Sequence, residues 1–154
     1  MEIRKGTLRD IGDFISIYTS AYEGLEQYSY PSIKKIKKYY RWLLRRDEDG
    51  IYFAILDEPV GVVASDSRWF SIFENSLVGE IHELVVRKEY KGRGIGKKLI
   101  QKAEEYPFST GKQVIELWVG ETNTMAIQFY ISLGYNLREK SWGQWIRMVK
   151  RLQR

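Results

Sequence analysis

Cysteine is absent from this chain, and histidine occurs only once, at position 82. Without cysteine the chain can form no disulfide framework, no thiolate zinc site and no cysteine nucleophile. A single histidine disfavours a histidine-rich metal site, so we expect no metal. The sequence also lacks a run of 18 or more apolar residues, and its opening residues do not resemble a signal peptide. These absences predict a cytoplasmic protein that does not span a membrane.

The chain does contain enough apolar residues to form a core. Its 154 residues are 44% hydrophobic, which fits a single domain over residues 1–154. The formal net charge is +5, and cations cluster in residues 34–46, 87–98 and 150–151. A basic surface of this kind fits either simple solubility or a polyanionic partner.

Hydrophobic periodicity and turn residues predict strands and helices in the order βααβββαβαββ. Thr7-x-x-Asp10 is a capping box that opens the first helix. The second helix is predicted to begin at Pro31 with Ile33 on its inner face, and the third to end near residues 106–107. Strands are predicted to begin at Ile3 and to cover residues 51–56, 60–67, 77–86, 114–119, 135–140 and 145–149. Residues 69–75 fit either a strand end or a loop.

The most informative stretch is residues 84–99, where an apolar strand, a glycine turn and a helix start follow one another. Glycines stand at positions 92, 94 and 96, and the apolar face of a helix begins at Ile95. This layout points backbone N–H groups and the positive end of a helix at a phosphate. The spacing fits neither the dinucleotide fingerprint nor a P-loop. The surrounding cations are Lys91, Arg93, Lys97 and Lys98.

Two motifs resemble those of the GCN5-related N-acetyltransferase (GNAT) family. Residues 91–96, Lys-Gly-Arg-Gly-Ile-Gly, resemble its acyl-CoA signature Gln/Arg-x-x-Gly-x-Gly/Ala, with Lys91 where glutamine or arginine is usual. Residues 123–135, Asn-Thr-Met-Ala-Ile-Gln-Phe-Tyr-Ile-Ser-Leu-Gly-Tyr, resemble N-x-x-A-x-x-F-Y-x-x-L-G-F/Y. The second motif also predicts a helix with Asn123 as its N-cap and Gly134 as its left-handed stop.

The resemblance covers essentially the entire chain and implies the fold. It implies an α/β (α+β) fold, a mixed and twisted sheet of about seven strands flanked by four helices. It also implies acetyl-CoA as cosubstrate, with Asn123 near the pantetheine arm and the Tyr130 hydroxyl near the thioester sulfur. The strand end at residues 84–86 would splay from residues 114–119 and bind pantetheine through its main chain. The implied cofactor-binding residues are Leu84, Val85, Val86, Lys91, Gly92, Arg93, Gly94, Ile95, Gly96, Lys97, Asn123 and Tyr130.

Acetyl transfer to an amine requires a base, because the amine is protonated near pH 7. The strand before the glycine turn carries Glu80 and His82 on one face by its period of two, and Glu83 on the other. In the family, the positions matching Glu80 and His82 hold the base in some amine-acetylating members. The predicted catalytic residues are therefore Glu80, His82 and Tyr130, and Glu83 is a weaker candidate. The predicted mechanism is direct attack of the amine on acetyl-CoA in a ternary complex.

The acceptor pocket in this fold is formed by the loop between the first two helices and by the final hairpin. Both are aromatic here, which suits an amine and its alkyl chain. The predicted substrate-binding residues are Tyr28, Tyr30, Glu80 and Trp145. A small-molecule amine, a protein lysine and a protein N-terminus all stay open, as does a homodimer. The alternatives are a basic nucleic-acid-binding module, which the second motif disfavours, and an acyl-CoA-binding regulator without catalysis.

Overall fold

The computed structural model describes residues 1–153 as a seven-stranded sheet with helices on both faces. The predicted order βααβββαβαββ is confirmed. The strands are β1 (Glu2–Lys5), β2 (Ile51–Ile55), β3 (Pro59–Ser71), β4 (Ser76–Val86), β5 (Val114–Gly120), β6 (Asn136–Trp142) and β7 (Trp145–Arg151). The helices are α1 (Ile11–Ala21), α2 (Ile33–Arg46), α3 (Ile95–Ser109) and α4 (Thr124–Ser132). No helix within residues 1–153 is long and apolar enough to cross a bilayer.

The sheet is mixed, and its one parallel pair lies at the centre. The strand order is β1-β2-β3-β4-β5-β7-β6. β4 and β5 run parallel and are joined through α3, whereas the other neighbouring strands are antiparallel. This arrangement carries the chain from the carboxyl end of β4 directly into the glycine turn and α3. The turn therefore lies at the same end of the sheet as the carboxyl end of β5.

Each face of the sheet buries its own apolar cluster. On one face α1 and α2 pack through residues that include Phe14, Ile17 and Tyr40, all fully buried. On the other face α3 contributes Leu99 and Ile100 against the inner strands. A sheet covered on both faces holds its central strands rigidly, because their side chains are packed on each side.

Two predicted helix ends differ from the structure. The second helix begins at Ile33 rather than Pro31, because Ser32 is the N-cap and its hydroxyl accepts a hydrogen bond from the Lys35 amide. The prediction that Ile33 faces inward is also wrong, since the side chain is 61% exposed in the first turn, ahead of the packed stripe.

The third helix continues through Pro107 to Ser109 instead of ending near residues 106–107. Proline has no N–H to donate to the carbonyl four residues earlier, that of Ala103. The Ser65 hydroxyl donates to the Ala103 carbonyl instead, at 2.8 Å. The helix therefore tolerates Pro107, because the carbonyl that proline leaves free is satisfied by β3. Residues 69–71, whose conformation the sequence left open, belong to β3.

Candidate active site

The parallel strands β4 and β5 separate partway along their length. Their register pairs Gly79 with Ile115, Glu80 with Glu116 and Ile81 with Leu117, although β4 continues to Val86. Residues 84–86 pair with β3 on their other edge. Their main-chain groups on the β5 side thus face a gap between two strands, as the family resemblance implied. An extended ligand can add to such an edge through backbone hydrogen bonds.

The glycine turn lies beside this gap and presents backbone amides. Gly92 and Gly94 have φ angles of +83° and +82°, a left-handed conformation that side chains other than those of Asn and Asp rarely adopt. Gly94 is the N-cap of α3, and the first intrahelical bond of the helix runs from the Lys98 amide to the Gly94 carbonyl. The amides of residues 95–97 precede that bond, so they point outward at the positive end of the helix. This is the geometry that binds a phosphate.

The side chains around the turn differ in where they point. Lys91 donates from Nζ to the carbonyl of Ala21 at the end of α1, at 3.3 Å, so its ammonium group is already held by the protein. The Arg93 guanidinium lies 4.9 Å from the centre of the Tyr90 ring. A side chain at Gly96 would meet Phe129 of α4 at 3.3 Å, so this glycine serves helix packing.

The second sequence motif folds as predicted. Asn123 caps α4 by accepting a hydrogen bond from the Ala126 amide at 3.3 Å, and Gly134 ends the helix with φ +98°. Tyr130 lies on the inner face of α4 and is 8% exposed. Burial, together with the nearby charge of Glu83, raises the pKa of the Tyr130 hydroxyl well above 10. The hydroxyl therefore keeps its proton at neutral pH.

A cavity of about 770 Å³ joins the strand gap to the surface. It lies among the α1–α2 connection, the middle of β4 and β5, and the β6–β7 hairpin. The predicted acceptor residues Tyr28, Tyr30, Glu80 and Trp145 all line it, as do Asn123 and Tyr130. The cavity thus brings the predicted acceptor residues together with three of the predicted cofactor-binding residues, Leu84, Asn123 and Tyr130, whereas Val85, Val86 and residues 91–97 lie outside its lining.

Tyr28 is a fixed wall of this cavity rather than a mobile contact. Its hydroxyl hydrogen-bonds the Thr122 hydroxyl and accepts from the Thr122 amide at 3.0 Å. Its ring lies against Gly120, where any side chain would collide with it at 2.3 Å, and 5.3 Å from the Trp145 ring. The α1–α2 connection is therefore pinned to the end of β5 at the cavity wall.

The prediction that Glu83 faces away from Glu80 and His82 is wrong. β3 pairs Ala64 with Glu83 and the next residue, Ser65, with Ile81, so His82 is an extra residue in β4. A bulge of this kind interrupts the alternation of side chains. Ile81 packs with the α3 cluster, whereas His82 and Glu83 both contact residues of α2. The bulge therefore turns Glu83 into the cavity.

Glu83 is a buried carboxyl group that immediately precedes the strand-gap residues 84–86. It is 9% exposed and accepts hydrogen bonds from the hydroxyls of Tyr22 at 2.6 Å and Tyr39 at 2.8 Å. Burial raises the pKa of Glu83 to about 7, although the two tyrosine hydrogen bonds act in the opposite direction. A carboxylate with this pKa can accept a proton at neutral pH and release it again.

His82 is held in an aromatic clamp behind this position. Its ring centre lies 4.9 Å from that of Trp42 and 5.0 Å from that of Trp69. Its Nε2 lies 2.9 Å from Oδ2 of Asp66, which also accepts from Nε of Arg46 at 2.8 Å. Burial opposes ionisation of Asp66, but the hydrogen bonds from His82 and Arg46 prevail and lower its pKa. His82 also lines the cavity, beside Glu83 on β4.

Glu80 lies deeper, among other carboxyl groups. It is 3% exposed, and its cross-strand neighbour is Glu116. Burial and then Glu116 raise the pKa of Glu80 well above its usual value. A carboxyl group that holds its proton in this way is a poor acceptor for a second one at neutral pH. The structure therefore favours Glu83 over Glu80 as the base.

Sequence reasoning missed the contribution of the tyrosines. Tyr22 lies directly after α1, and Tyr39 lies on α2 beside the buried Tyr40. Both donate to Glu83, and burial raises their own pKa values well above 10, so they stay protonated. The available signal was the density of tyrosine in residues 18–40.

Comparison with known proteins assigns the family. The model of the acetyltransferase (GNAT) family matches residues 12–135. An uncharacterized N-acetyltransferase of Archaeoglobus fulgidus is 51% identical over 133 residues, covering 86% of this chain and 90% of that protein. A crystal structure of a Pyrococcus horikoshii OT3 protein has a TM-score of 0.87 at 35% identity and covers 99% of both chains.

A further crystal structure shares the fold at lower identity. The PaiA N-acetyltransferase of Thermoplasma acidophilum, solved in complex with coenzyme A, has a TM-score of 0.78 at 20% identity and covers 97% of this chain and 98% of that one. The predicted fold class and the prediction of an N-acetyltransferase are both confirmed. The chain belongs to the acetyltransferase (GNAT) family.

Proposed function

We propose that this protein transfers an acetyl group from acetyl-CoA to a primary amine by direct attack within a ternary complex. The observation that carries the proposal is the meeting of three features in one cavity. These are the free main-chain edge of β4, the buried Glu83 carboxyl group and the protonated Tyr130 hydroxyl. The amides of the glycine turn supply a fitting place for the CoA phosphates. Coenzyme A in the structure of the T. acidophilum relative supports the cosubstrate.

Each of these groups has its own role in the reaction. Glu83 takes a proton from the amine nitrogen, which attacks the thioester carbonyl carbon. A main-chain N–H of residues 84–86 stabilises the oxyanion that forms there. The C–S bond then breaks as the carbonyl reforms, and the Tyr130 hydroxyl donates a proton to the departing thiolate. The proton that Glu83 accepted then returns to the Tyr130 oxygen through solvent, which restores both groups. The products are the N-acetylated amine and CoA thiol, and no covalent bond to the protein forms.

The glutamate is a better base here than the imidazole for a geometric reason. Glu83 immediately precedes residues 84–86, whose edge lines the gap, whereas His82 stands one residue further from them and is anchored to Asp66 through Nε2. His82 therefore holds the bulge in place from behind, clamped between Trp42 and Trp69. Its role as positioning residue is separable from that of a base, because replacing a positioning residue should lower the rate but keep the rise of turnover with pH that Glu83 sets.

An amine panel incubated with acetyl-CoA tests this function. We expect CoA thiol to be released in proportion to the acetylated amine, as measured by thiol titration and mass spectrometry. Acetyl-CoA binding without turnover of any amine would instead indicate an acyl-CoA-binding regulator. A thermal shift with oligonucleotides but not with acetyl-CoA would favour the nucleic-acid-binding alternative.

A further inference from the structure

We propose that Glu80 and Glu116 form a cation site in the acceptor cavity, and that the physiological amine carries a second positive charge that binds there. This inference rests on the proposed N-acetyltransferase function and names its substrate class, a diamine or longer polyamine. The site lies in the part of the cavity where β4 and β5 are still paired, below the gap in which transfer occurs.

The two carboxyl groups are neighbours that face the same cavity. Glu80 of β4 and Glu116 of β5 pair directly across the parallel strands, and both line the cavity. Glu116 already has partners: Oε2 accepts from Arg147 at 2.8 Å and from the Ser71 hydroxyl at 2.7 Å. Arg147 is in turn shared with Glu74, at 3.2 Å. Nη1 of this guanidinium therefore serves both Glu116 and Glu74, while its Nε is buried and has no hydrogen-bond partner among the described residues.

Among the described residues, no cationic side chain forms an ion pair with Glu80, although the charge of Arg147 lowers its pKa slightly against the larger effects of burial and Glu116. In the part of the chain that the structure describes, its Oε1 is buried and has no hydrogen-bond partner. A buried polar atom without a partner costs free energy, and it is retained in proteins chiefly where a ligand satisfies it. An ammonium group carries three donors and a positive charge, so it can satisfy this oxygen, and its charge would favour loss of the proton that Glu80 otherwise holds.

The spacing and the walls of the cavity suit a diamine. Glu80 and Glu83 are three residues apart on β4, which at about 3.3 Å per residue gives roughly 10 Å, shortened by the bulge. One ammonium group at Glu80 would thus leave the other end of an alkyl chain near Glu83. Aromatic side chains line the path and suit both methylene groups and ammonium. They include Trp69, Phe73, Trp118 and Trp145.

The test compares acceptors of equal length that differ only at the far end. The series consists of α,ω-diamines, amino alcohols and alkylamines of four to six carbons (about the span between the two glutamates), each assayed for kcat/KM with acetyl-CoA. We expect diamines to exceed the matched amino alcohols and alkylamines roughly tenfold to a hundredfold, the range for a hydrogen-bonded charge pair. Glu80→Gln should bring the diamine-to-amino-alcohol ratio close to one. Glu105→Gln, at an exposed position on α3 outside the cavity, is the matched control and should keep the ratio.

Different failures have different meanings. Equal kcat/KM values for diamines and amino alcohols, or a ratio that survives Glu80→Gln in a variant with unchanged melting temperature, would overturn the cation site. If Glu80→Gln does not fold, the ratio of kcat/KM for diamines to kcat/KM for amino alcohols in the wild type decides whether the cation site exists. Efficient transfer to monoamines without preference would remove the cation site but leave the proposed function intact. The absence of transfer to every amine would overturn both.

Discussion

Replacing Glu83 with glutamine should lower the turnover rate without lowering the stability of the protein. The amide keeps the shape of the side chain and can still accept from Tyr22 or Tyr39, but it cannot take a proton. Since a positioned base contributes about 10²–10⁴-fold, we expect kcat to fall by that range. The wild-type rate should rise with pH through about 7, where Glu83 loses its proton, and the variant should lack this limb.

The same change should stabilise the protein at high pH. The pKa of Glu83 is higher in the folded state, about 7, than its ordinary value of 4.5, so the folded protein binds this proton more tightly than the unfolded chain. The stability of the wild type therefore falls as pH rises from about 4.5 through 7. Across this pH range the wild type loses about 3 kcal/mol of its free energy of unfolding through Glu83, and the variant does not lose it.

Steady-state kinetics and thermal unfolding of both proteins at pH 5 and pH 8 measure these effects. The melting temperature of Glu83→Gln relative to the wild type should be higher at pH 8 than at pH 5. Tyr22→Phe is the companion variant: it removes a hydrogen bond that lowers the pKa of Glu83, so the acid limb should move to higher pH. Full activity of Glu83→Gln would refute the assignment of the base. An activity loss accompanied by equal destabilisation at both pH values would indicate a structural role instead.

The remaining predictions concern the cosubstrate. Gly94→Asp should greatly weaken acetyl-CoA binding, as measured by calorimetry. Gly94→Asn should weaken it less, because asparagine tolerates the same φ of +82° and carries no charge. Equal affinities in both variants and the wild type would contradict the phosphate site. Lys91→Gln should keep affinity within about tenfold, because Nζ is held by the Ala21 carbonyl and amides make most phosphate contacts; a loss of several hundredfold would contradict this. Tyr130→Phe should lower kcat roughly ten- to a thousandfold with little change in melting temperature, since it removes the proton donor to the thiolate and keeps the ring. Unchanged turnover in a stable Tyr130→Phe protein would leave the hydroxyl without a catalytic role.

The sequence predicted the parts of this structure that depend on neighbouring residues. Element order follows from local periodicity, and the Asn123 cap and the Gly134 stop follow from the backbone chemistry of single residues. The strand gap followed from the family resemblance, and the β4–β5 register bears it out. Even here the local rules failed at Ile33, where the first turn of α2 lies outside the packed stripe.

The environment of Glu83 depends on distant residues and could not be predicted in this way. Period two places Glu83 opposite Glu80, and only pairing with β3 reveals that His82 is an extra residue. The hydrogen-bond donors Tyr22 and Tyr39 are 61 and 44 residues away along the chain. The elevated pKa results from this tertiary burial rather than from the sequence around the glutamate. The buried pairing of Glu80 with Glu116 likewise arises from two strands that are joined only through α3.

The fate of an isotopically labelled acetyl group tests the central claim most directly. The protein is incubated with acetyl-CoA labelled in its acetyl carbons and with the panel of amines, and both amine and protein are analysed by mass spectrometry. The account predicts labelled N-acetyl amine in amounts equal to the CoA thiol released, and no labelled acetyl group on the protein. Label retained on the protein during turnover would contradict direct transfer, and thiol release at the enzyme-free rate with every amine would contradict the proposed activity itself.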